Sequence, residues 1–96
     1  MKNRYLVAYD VVDPKRLRAI YRKLCGFGEH VQYSVFLCDL SPGQRVLLAD
    51  ALHAIINARE DRVLIVDLGP VAGRGRECIT TLGLATRPEA AVAAVL

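Results

Sequence analysis

Asp10 is the residue near the amino terminus whose type and position best suit catalysis. It ends the apolar run Tyr5 to Asp10, so its carboxylate is expected at the rim of a strand. A carboxylate held there suits a metal ion, and Mg²⁺ in proteins is commonly held by one or two carboxylates. The alternative is that Asp10 closes a turn by accepting backbone N–H bonds. His30 is a weaker candidate ligand, because a single histidine at the start of a strand is usually partly exposed surface.

A cluster of basic residues follows Asp10 and is predicted to lie on one face of a helix. These residues are Lys15, Arg16, Arg18, Arg22 and Lys23. The opposite face carries apolar residues at three- and four-residue spacing, which is typical of a helix packed on a core. The basic face could contact a nucleic-acid backbone, with Arg16, Arg18 and Arg22 as the candidates. It could equally be a solvated surface whose long stems cover apolar neighbours, and both interpretations stay open.

Composition favours one small domain with some of its apolar surface covered. The chain has 96 residues, of which 53% are hydrophobic, a high share for so small a soluble protein. The net charge of +3 mildly favours a polyanionic partner.

The cysteines and the apolar runs exclude several classes of protein. Three cysteines without a C-x-x-C pair support neither a zinc knuckle nor a redox motif, and we expect buried free thiols. No apolar run approaches the ~20 residues of a membrane span. No signal peptide is visible. A cytoplasmic protein that does not bind membranes is therefore expected.

The hydrophobic pattern predicts alternating strands and helices. Polar and glycine-rich connectors separate the elements, and the segment 29–40 is either one bent strand or two strands broken near residues 32–34. The predicted elements are a strand over 5–10, a helix over 14–27, the β-rich segment 29–40, a helix from the Ser41 capping box to 58, a strand over 62–68, a mobile loop over 69–77 and a short strand over 78–82.

This order predicts an α+β fold, a ferredoxin-like βαββαβ sandwich with an additional C-terminal strand. The domain is expected to span residues 1–83, followed by a short tail over 84–96 that is helical or frayed. Two helices cover only one sheet face, so we expect a homodimer that stacks sheet on sheet. The strand over 78–82 would then cross to an edge of the partner's sheet.

Four segments together resemble the second core CRISPR-associated protein family, small ferredoxin-like dimers of the spacer-adaptation machinery. They are Tyr9-Asp10-Val11, Lys15-Arg16-Leu17-Arg18, the segment Gly28 to Phe36 that ends in Gln32-Tyr33-Ser34-Val35-Phe36, and Asp61 to Leu68. The resemblance spans residues 4–82 and includes neither a match for the loop over 69–77 nor one for the tail.

The resemblance implies a Mg²⁺-dependent phosphodiesterase, an endoribonuclease or DNase, that acts in spacer acquisition. Asp10 matches the family's metal-binding aspartate, contributed once by each subunit across the two-fold axis. Arg16 and Arg18 match helix arginines implicated in activity. Phe36 matches an aromatic implicated in activity, with Tyr9 a further candidate, although Phe36 fits equally well as a core residue.

The resemblance also implies a non-catalytic role, in which the dimer bridges two copies of the CRISPR-associated integrase around a short DNA duplex. No residue in the sequence is an obvious general base, so this adaptor function stays open. A third alternative is an unrelated ferredoxin-like binding module, such as a small-molecule sensor. An RNA-recognition domain is disfavoured because its K/R-G-F-x-F signature is missing.

Overall fold

The computed structural model describes residues 1–83, which form one four-stranded sheet with its two long helices against one face. None of the described helices is long and apolar enough to cross a membrane. The elements are β1 (Asn3–Asp10), α1 (Pro14–Cys25), β2 (Glu29–Gln32), β3 (Val35–Leu40), α2 (Pro42–His53), β4 (Arg62–Pro70) and α3 (Arg74–Glu77).

The strand order is β2-β3-β1-β4, and every neighbouring pair is antiparallel. This is the arrangement of a ferredoxin-like sandwich, which confirms the predicted α+β fold. β1 lies in the centre, where it pairs with β3 through Val7 and Phe36 and with β4 through Leu6 and Val66. The carboxyl end of β1 therefore lies beside the amino-terminal ends of β3 and β4, at one end of the strands.

Alternation along β1 divides its side chains between two environments. Val7 and Tyr9 face the helices and are 0% and 7% exposed. Leu6 and Ala8 face the other way, onto the opposite sheet face, which neither α1 nor α2 covers. The register places six apolar residues on this open face: Leu6, Ala8, Val35, Leu37, Leu64 and Val66. The prediction that the two long helices cover only one sheet face is confirmed, and α3 and residues 79–82 lie against part of the opposite face.

Side-chain caps determine where the two long helices begin. The Asp13 carboxylate accepts hydrogen bonds from the Lys15 and Arg16 backbone N–H groups, both at 3.0 Å, and caps α1. Ser41 and Gln44 form the predicted capping box of α2. α1 ends at Cys25 and α2 at His53, earlier than predicted.

The segment 29–40 is two strands, which resolves the open alternative. A two-residue turn at Tyr33 and Ser34 separates β2 from β3, and Tyr33 has a positive φ of 33°. Such a φ is uncommon for residues other than glycine, asparagine and aspartate. The turn therefore forms without the glycine, asparagine or aspartate by which such a turn is usually predicted from sequence.

The segment after β4 differs from its prediction. Instead of a mobile loop over 69–77, β4 continues to Pro70 and α3 follows. The expected strand over 78–82 is wrong for the described chain, because these residues are not in a strand. Residues 79–82 instead lie over the open face and line a cavity of about 300 Å³ with Leu6, Val31 and Leu37. The expected helix or frayed tail over 84–96 lies outside the described residues.

The expectation of buried thiols holds for only one of the three cysteines. All three are free, but Cys25 and Cys78 are exposed. Cys38 is fully buried in the core, and burial raises the pKa of its thiol to about 11. The two exposed positions lie at helix ends, where the sequence pattern predicts burial least well.

Candidate functional site

Asp10 is exposed at the carboxyl end of the central strand. Its Cα pairs across the sheet with that of Arg62 in β4. Since Tyr9 faces the helices, alternation directs Asp10 toward the side of the open face. The carboxylate thus stands at a rigid rim of the sheet, on the side where a second copy was expected to pack.

A second aspartate, Asp61, fixes the loop that follows Asp10. Its side chain is fully buried and accepts hydrogen bonds from the backbone N–H groups of Val12 at 3.1 Å and Asn57 at 2.8 Å. These bonds tie the connection between β1 and α1 to the connection between α2 and β4. The backbone that follows Asp10 is therefore fixed to the connection that precedes β4.

Arg16 completes this arrangement from the first turn of α1. Its Nε donates to the Asp61 carboxylate at 2.7 Å, and its terminal nitrogen donates to Glu60 at 2.9 Å. The hydrogen bond from Arg16 is the main reason why the pKa of Asp61 falls to about 2, with the two backbone donors adding to it against the opposing effect of burial.

The three arginines predicted to bind nucleic acid therefore have different environments. Arg16 is engaged within its own subunit, whereas Arg18 and Arg22 are exposed and form no ion pair within residues 1–83. They stand one helical turn apart on α1 and line the same cavity. Arg18 and Arg22 are thus the arginines available to a phosphate.

The two aromatic candidates are buried rather than displayed. Phe36 is fully buried and Tyr9 is 7% exposed, with ring centroids 6.3 Å apart. Burial raises the pKa of the Tyr9 hydroxyl, so it stays protonated. Phe36 can influence a ligand only through the residues packed against it, and its position is the core position that the sequence also allowed.

An aromatic cavity beside these residues was not predicted from the sequence. His30 and Tyr21 pack against Phe36 at centroid distances of 5.0 and 5.6 Å, and they contact each other edge to face at 5.2 Å. The cavity above them has a volume of about 570 Å³. Tyr21 comes from α1, His30 from β2 and Tyr33 from the turn after it. No local sequence pattern therefore predicts that these side chains lie together.

The described residues supply one candidate metal ligand rather than a cluster. Residues 1–83 contain no group of three or more histidine, cysteine, aspartate or glutamate side chains that could hold a metal. His30 is otherwise engaged, because its Nε2–H donates to the Tyr33 carbonyl oxygen. A single exposed carboxylate fits Mg²⁺, whose shell is usually completed by water and substrate phosphates.

Comparison with known proteins identifies the family. The model of the family described as CRISPR associated protein Cas2 matches residues 2–71, which is most of the chain. The chain belongs to the Cas2 family. This result confirms the resemblance drawn from the sequence motifs.

Curated Cas2 relatives are similar over the same part of the chain. A CRISPR-associated endoribonuclease Cas2 of Rhodospirillum rubrum is 47% identical over 66 residues, which cover 69% of this chain and 65% of that protein. The match thus spans just under two thirds of that relative's length. A Cas2 endoribonuclease of Geobacter sulfurreducens is 40% identical over 70 residues, covering 73% of this chain and 74% of the relative.

Solved structures of similar proteins share the fold. The crystal structure of Streptococcus pyogenes Cas2 superposes with a TM-score of 0.72 at 33% identity. The aligned part covers 83% of this chain and 99% of the S. pyogenes chain. A hypothetical protein of Thermus thermophilus gives a TM-score of 0.75 at 32% identity, covering 88% and 95%. The Cas2 family likeness therefore extends to the whole four-stranded sandwich.

Proposed function

We propose that this chain is a metal-dependent CRISPR-associated endonuclease, with Asp10 as its Mg²⁺ ligand and catalytic residue. The observation that carries the proposal is the placement of an exposed carboxylate at the rim of the central strand, beside a loop fixed by the buried Asp61. A metal ligand must be held with little freedom, and this rim provides that rigidity. Relatives named endoribonucleases support the same activity.

The bound metal would polarise a phosphodiester and lower the pKa of a coordinated water. The chain's own contribution is to place Asp10 against the phosphate and to hold the nucleic-acid backbone with Arg18 and Arg22. Arginine suits this task because its planar guanidinium donates two hydrogen bonds to a phosphate at once.

A homodimer would provide the second carboxylate. The open face displays Leu64 at 55% and Val66 at 39% exposure, and a second copy packed there would remove both from water. Asp10 points to the same side, so a two-fold axis through this interface would bring two such residues toward each other. We propose this dimer as the active form.

The second candidate function is a non-catalytic adaptor that assembles the CRISPR integrase on DNA during spacer acquisition. One observation favours it: within residues 1–83, Asp10 belongs to no group of three or more histidine, cysteine, aspartate or glutamate side chains that could hold a metal. In this alternative the chain keeps the basic face of α1 for DNA and performs no cleavage.

The two candidates are separated by comparing the wild type with Asp10→Asn on labelled RNA and DNA oligonucleotides, with Mg²⁺ and with chelator. The substitution keeps the shape but supplies a neutral oxygen, which is a poor ligand for a hard dication. If Asp10 is catalytic, cleavage should fall roughly 100-fold or more, the scale seen when one charge-stabilising group is removed. Asp50→Asn, which alters an exposed carboxylate on α2, is the matched control and should cleave like the wild type.

Equal Mg²⁺-dependent cleavage by wild type and Asp10→Asn would remove Asp10 from the mechanism and reveal a contaminating nuclease. Absence of cleavage by either protein, together with normal assembly of the integrase complex by both, would establish the adaptor function. Circular dichroism of matched preparations confirms that the variants are folded.

A further inference from the structure

The aromatic cavity lies at the same end of the strands as Asp10, on the side of the sheet that the helices cover. β2 runs parallel to β1 with β3 between them, so the turn after β2 comes to the edge where β1 ends. The contact is direct, because the Tyr9 backbone N–H donates to the Ser34 carbonyl oxygen at 3.0 Å. The cavity and Asp10 are therefore neighbours at one end of the strands, but the cavity lies on one face of the sheet and the Asp10 side chain on the other.

The lining of this cavity combines aromatic rings with cations. Tyr9, Tyr21, His30 and Tyr33 supply the rings, and Arg18 and Arg22 supply the charge. The volume of about 570 Å³ falls within the roughly 300–1,000 Å³ of small-molecule sites. Among the described residues no acidic side chain lines the cavity, so its charge is complementary to an anion.

Tyr33 gives this site its most distinctive feature. Its side chain is 94% exposed, although it sits in a two-residue turn with a φ of 33° that suits glycine better. A large aromatic ring is thus displayed to solvent at the cavity mouth by a backbone that a smaller residue would adopt more easily. Its carbonyl oxygen is held by His30, which fixes the turn. Strained residues of this kind cluster at ligand-binding sites.

We propose that this cavity binds one unpaired nucleotide of a single-stranded nucleic acid, with its base stacked against Tyr33 and its phosphate held by Arg18 and Arg22. This inference rests on the proposed function in taking nucleic acid as the ligand. It adds that the ligand is read through an exposed base and not only through its backbone. A base in a duplex is covered above and below by its neighbours, whereas an unpaired base offers a free ring face for stacking.

The recognition chemistry follows from the positions of the polar groups. Tyr9 and Ser34 are among the residues that line the cavity, and a hydroxyl group of either type can hydrogen-bond the edge of a base. The two arginines on α1 lie one turn apart and can clamp one phosphate or two successive ones. Stacking tolerates every base, so we expect a preference for single strands and little preference for sequence.

The test measures binding of a fluorescent ten-nucleotide single strand and of the corresponding duplex by anisotropy, in chelator so that cleavage cannot occur. Tyr33→Ala should weaken single-strand binding about 5- to 100-fold, the range for loss of one base–aromatic stack. Tyr33→Phe retains the ring and should bind like the wild type. Duplex affinity should be the same for all three proteins.

The arginines are tested by the salt dependence of single-strand binding. Arg18→Gln and Arg22→Gln should each reduce the slope of log K against log salt by about 0.7, the change expected when a protein neutralises one phosphate fewer on a single strand. Arg59→Gln, which alters an exposed arginine in the loop before β4, is the matched control and should leave the slope unchanged.

Three outcomes would overturn the proposal: unchanged single-strand affinity in Tyr33→Ala, equal losses for single strand and duplex, or failure of Tyr33→Phe to restore binding. Asp10→Asn should bind the single strand at least as well as the wild type. Loss of cleavage in Asp10→Asn with unchanged binding in Tyr33→Ala would therefore remove this site while leaving the proposed endonuclease intact.

Discussion

Asp61 joins three parts of the chain through one buried carboxylate. It accepts hydrogen bonds from Val12, Asn57 and Arg16, which belong to two connections and a helix. Each donor would lose its partner if the side chain were removed, and neutralising the carboxylate would weaken the bond to the Arg16 guanidinium. A residue that does not contact any proposed ligand therefore determines the position of the Asp10 rim.

The pH dependence of stability should reveal this residue. The pKa of Asp61 is about 2 in the folded chain, below its ordinary value of 3.8, so between these values the unfolded chain binds more protons. Its stabilisation is complete above about pH 4 and is lost as the pH falls toward 2. The difference in free energy of unfolding between wild type and Asp61→Asn should therefore be largest at neutral pH and shrink in this interval.

Urea unfolding at several pH values measures this difference. Asp50→Asn is the control, and it should follow the wild type at each pH. A constant difference for Asp61→Asn across the whole range, from neutral to strongly acidic solution, would show that the charge of Asp61 does not carry the stabilisation.

The residue scale also shows what the sequence could and could not predict. Asp10, Arg18 and Arg22 stand where strand and helix periodicity placed them. The engagement of Arg16 by Asp61 was missed, because the two residues are 45 positions apart and only the fold brings them together. The cavity around Tyr33 was missed for the same reason.

At the scale of elements, local signals predicted beginnings better than ends. The caps at Asp13 and Ser41 confirmed both helix starts, since a cap is set by residues within one turn. The helix ends were placed too late, because the apolar pattern continues into residues that pack against the core without being helical. α3 was missed, as its four residues include a glycine and follow a glycine-rich turn.

The close approach of α1's end to β3 makes Gly28 irreplaceable. A Cβ at Gly28 would overlap the Leu37 carbonyl oxygen and the Cys38 side chain and backbone. Backbone atoms cannot move aside cheaply, so Gly28→Ala should destabilise the chain by about 1–3 kcal/mol, the usual cost of overpacking. Thermal and urea unfolding measure this effect.

Gly43 provides the contrast within the same fold. It lies in the first turn of α2, and a Cβ there would meet nothing within 4 Å. Gly43→Ala should be neutral or stabilise the chain by up to about 1 kcal/mol, because alanine favours helix. Equal effects of the two substitutions would contradict the close packing at Gly28.

At the scale of the whole molecule, the open sheet face predicts a specific interface. Leu64→Arg would bury an unpaired charge in a dimer formed through this face, a penalty of about 3–5 kcal/mol. The dimer dissociation constant should then rise roughly 100-fold or more. Analytical ultracentrifugation at micromolar concentration should show a wild-type dimer and a folded Leu64→Arg monomer.

Val46→Arg is the matched control for this prediction. Val46 lies on α2 and is 59% exposed, close to the 55% of Leu64, but it is remote from the open face. The Val46→Arg variant should remain dimeric. A wild-type monomer, or equal dissociation of both variants, would contradict an interface on the open face.

The central position of β1 has a consequence for synthesis of the chain. β1 is made before the other strands, but Val7 pairs with Phe36 in β3 and Leu6 pairs with Val66 in β4, the last of the four strands. On the ribosome, the apolar run Tyr5 to Tyr9 therefore has no sheet partner until later residues are added. Among the strand pairs of residues 1–83, the β2–β3 hairpin alone joins strands that are adjacent in sequence. Pairings this distant in sequence are slow to form. We expect β1 to be the part of the nascent chain most dependent on chaperones.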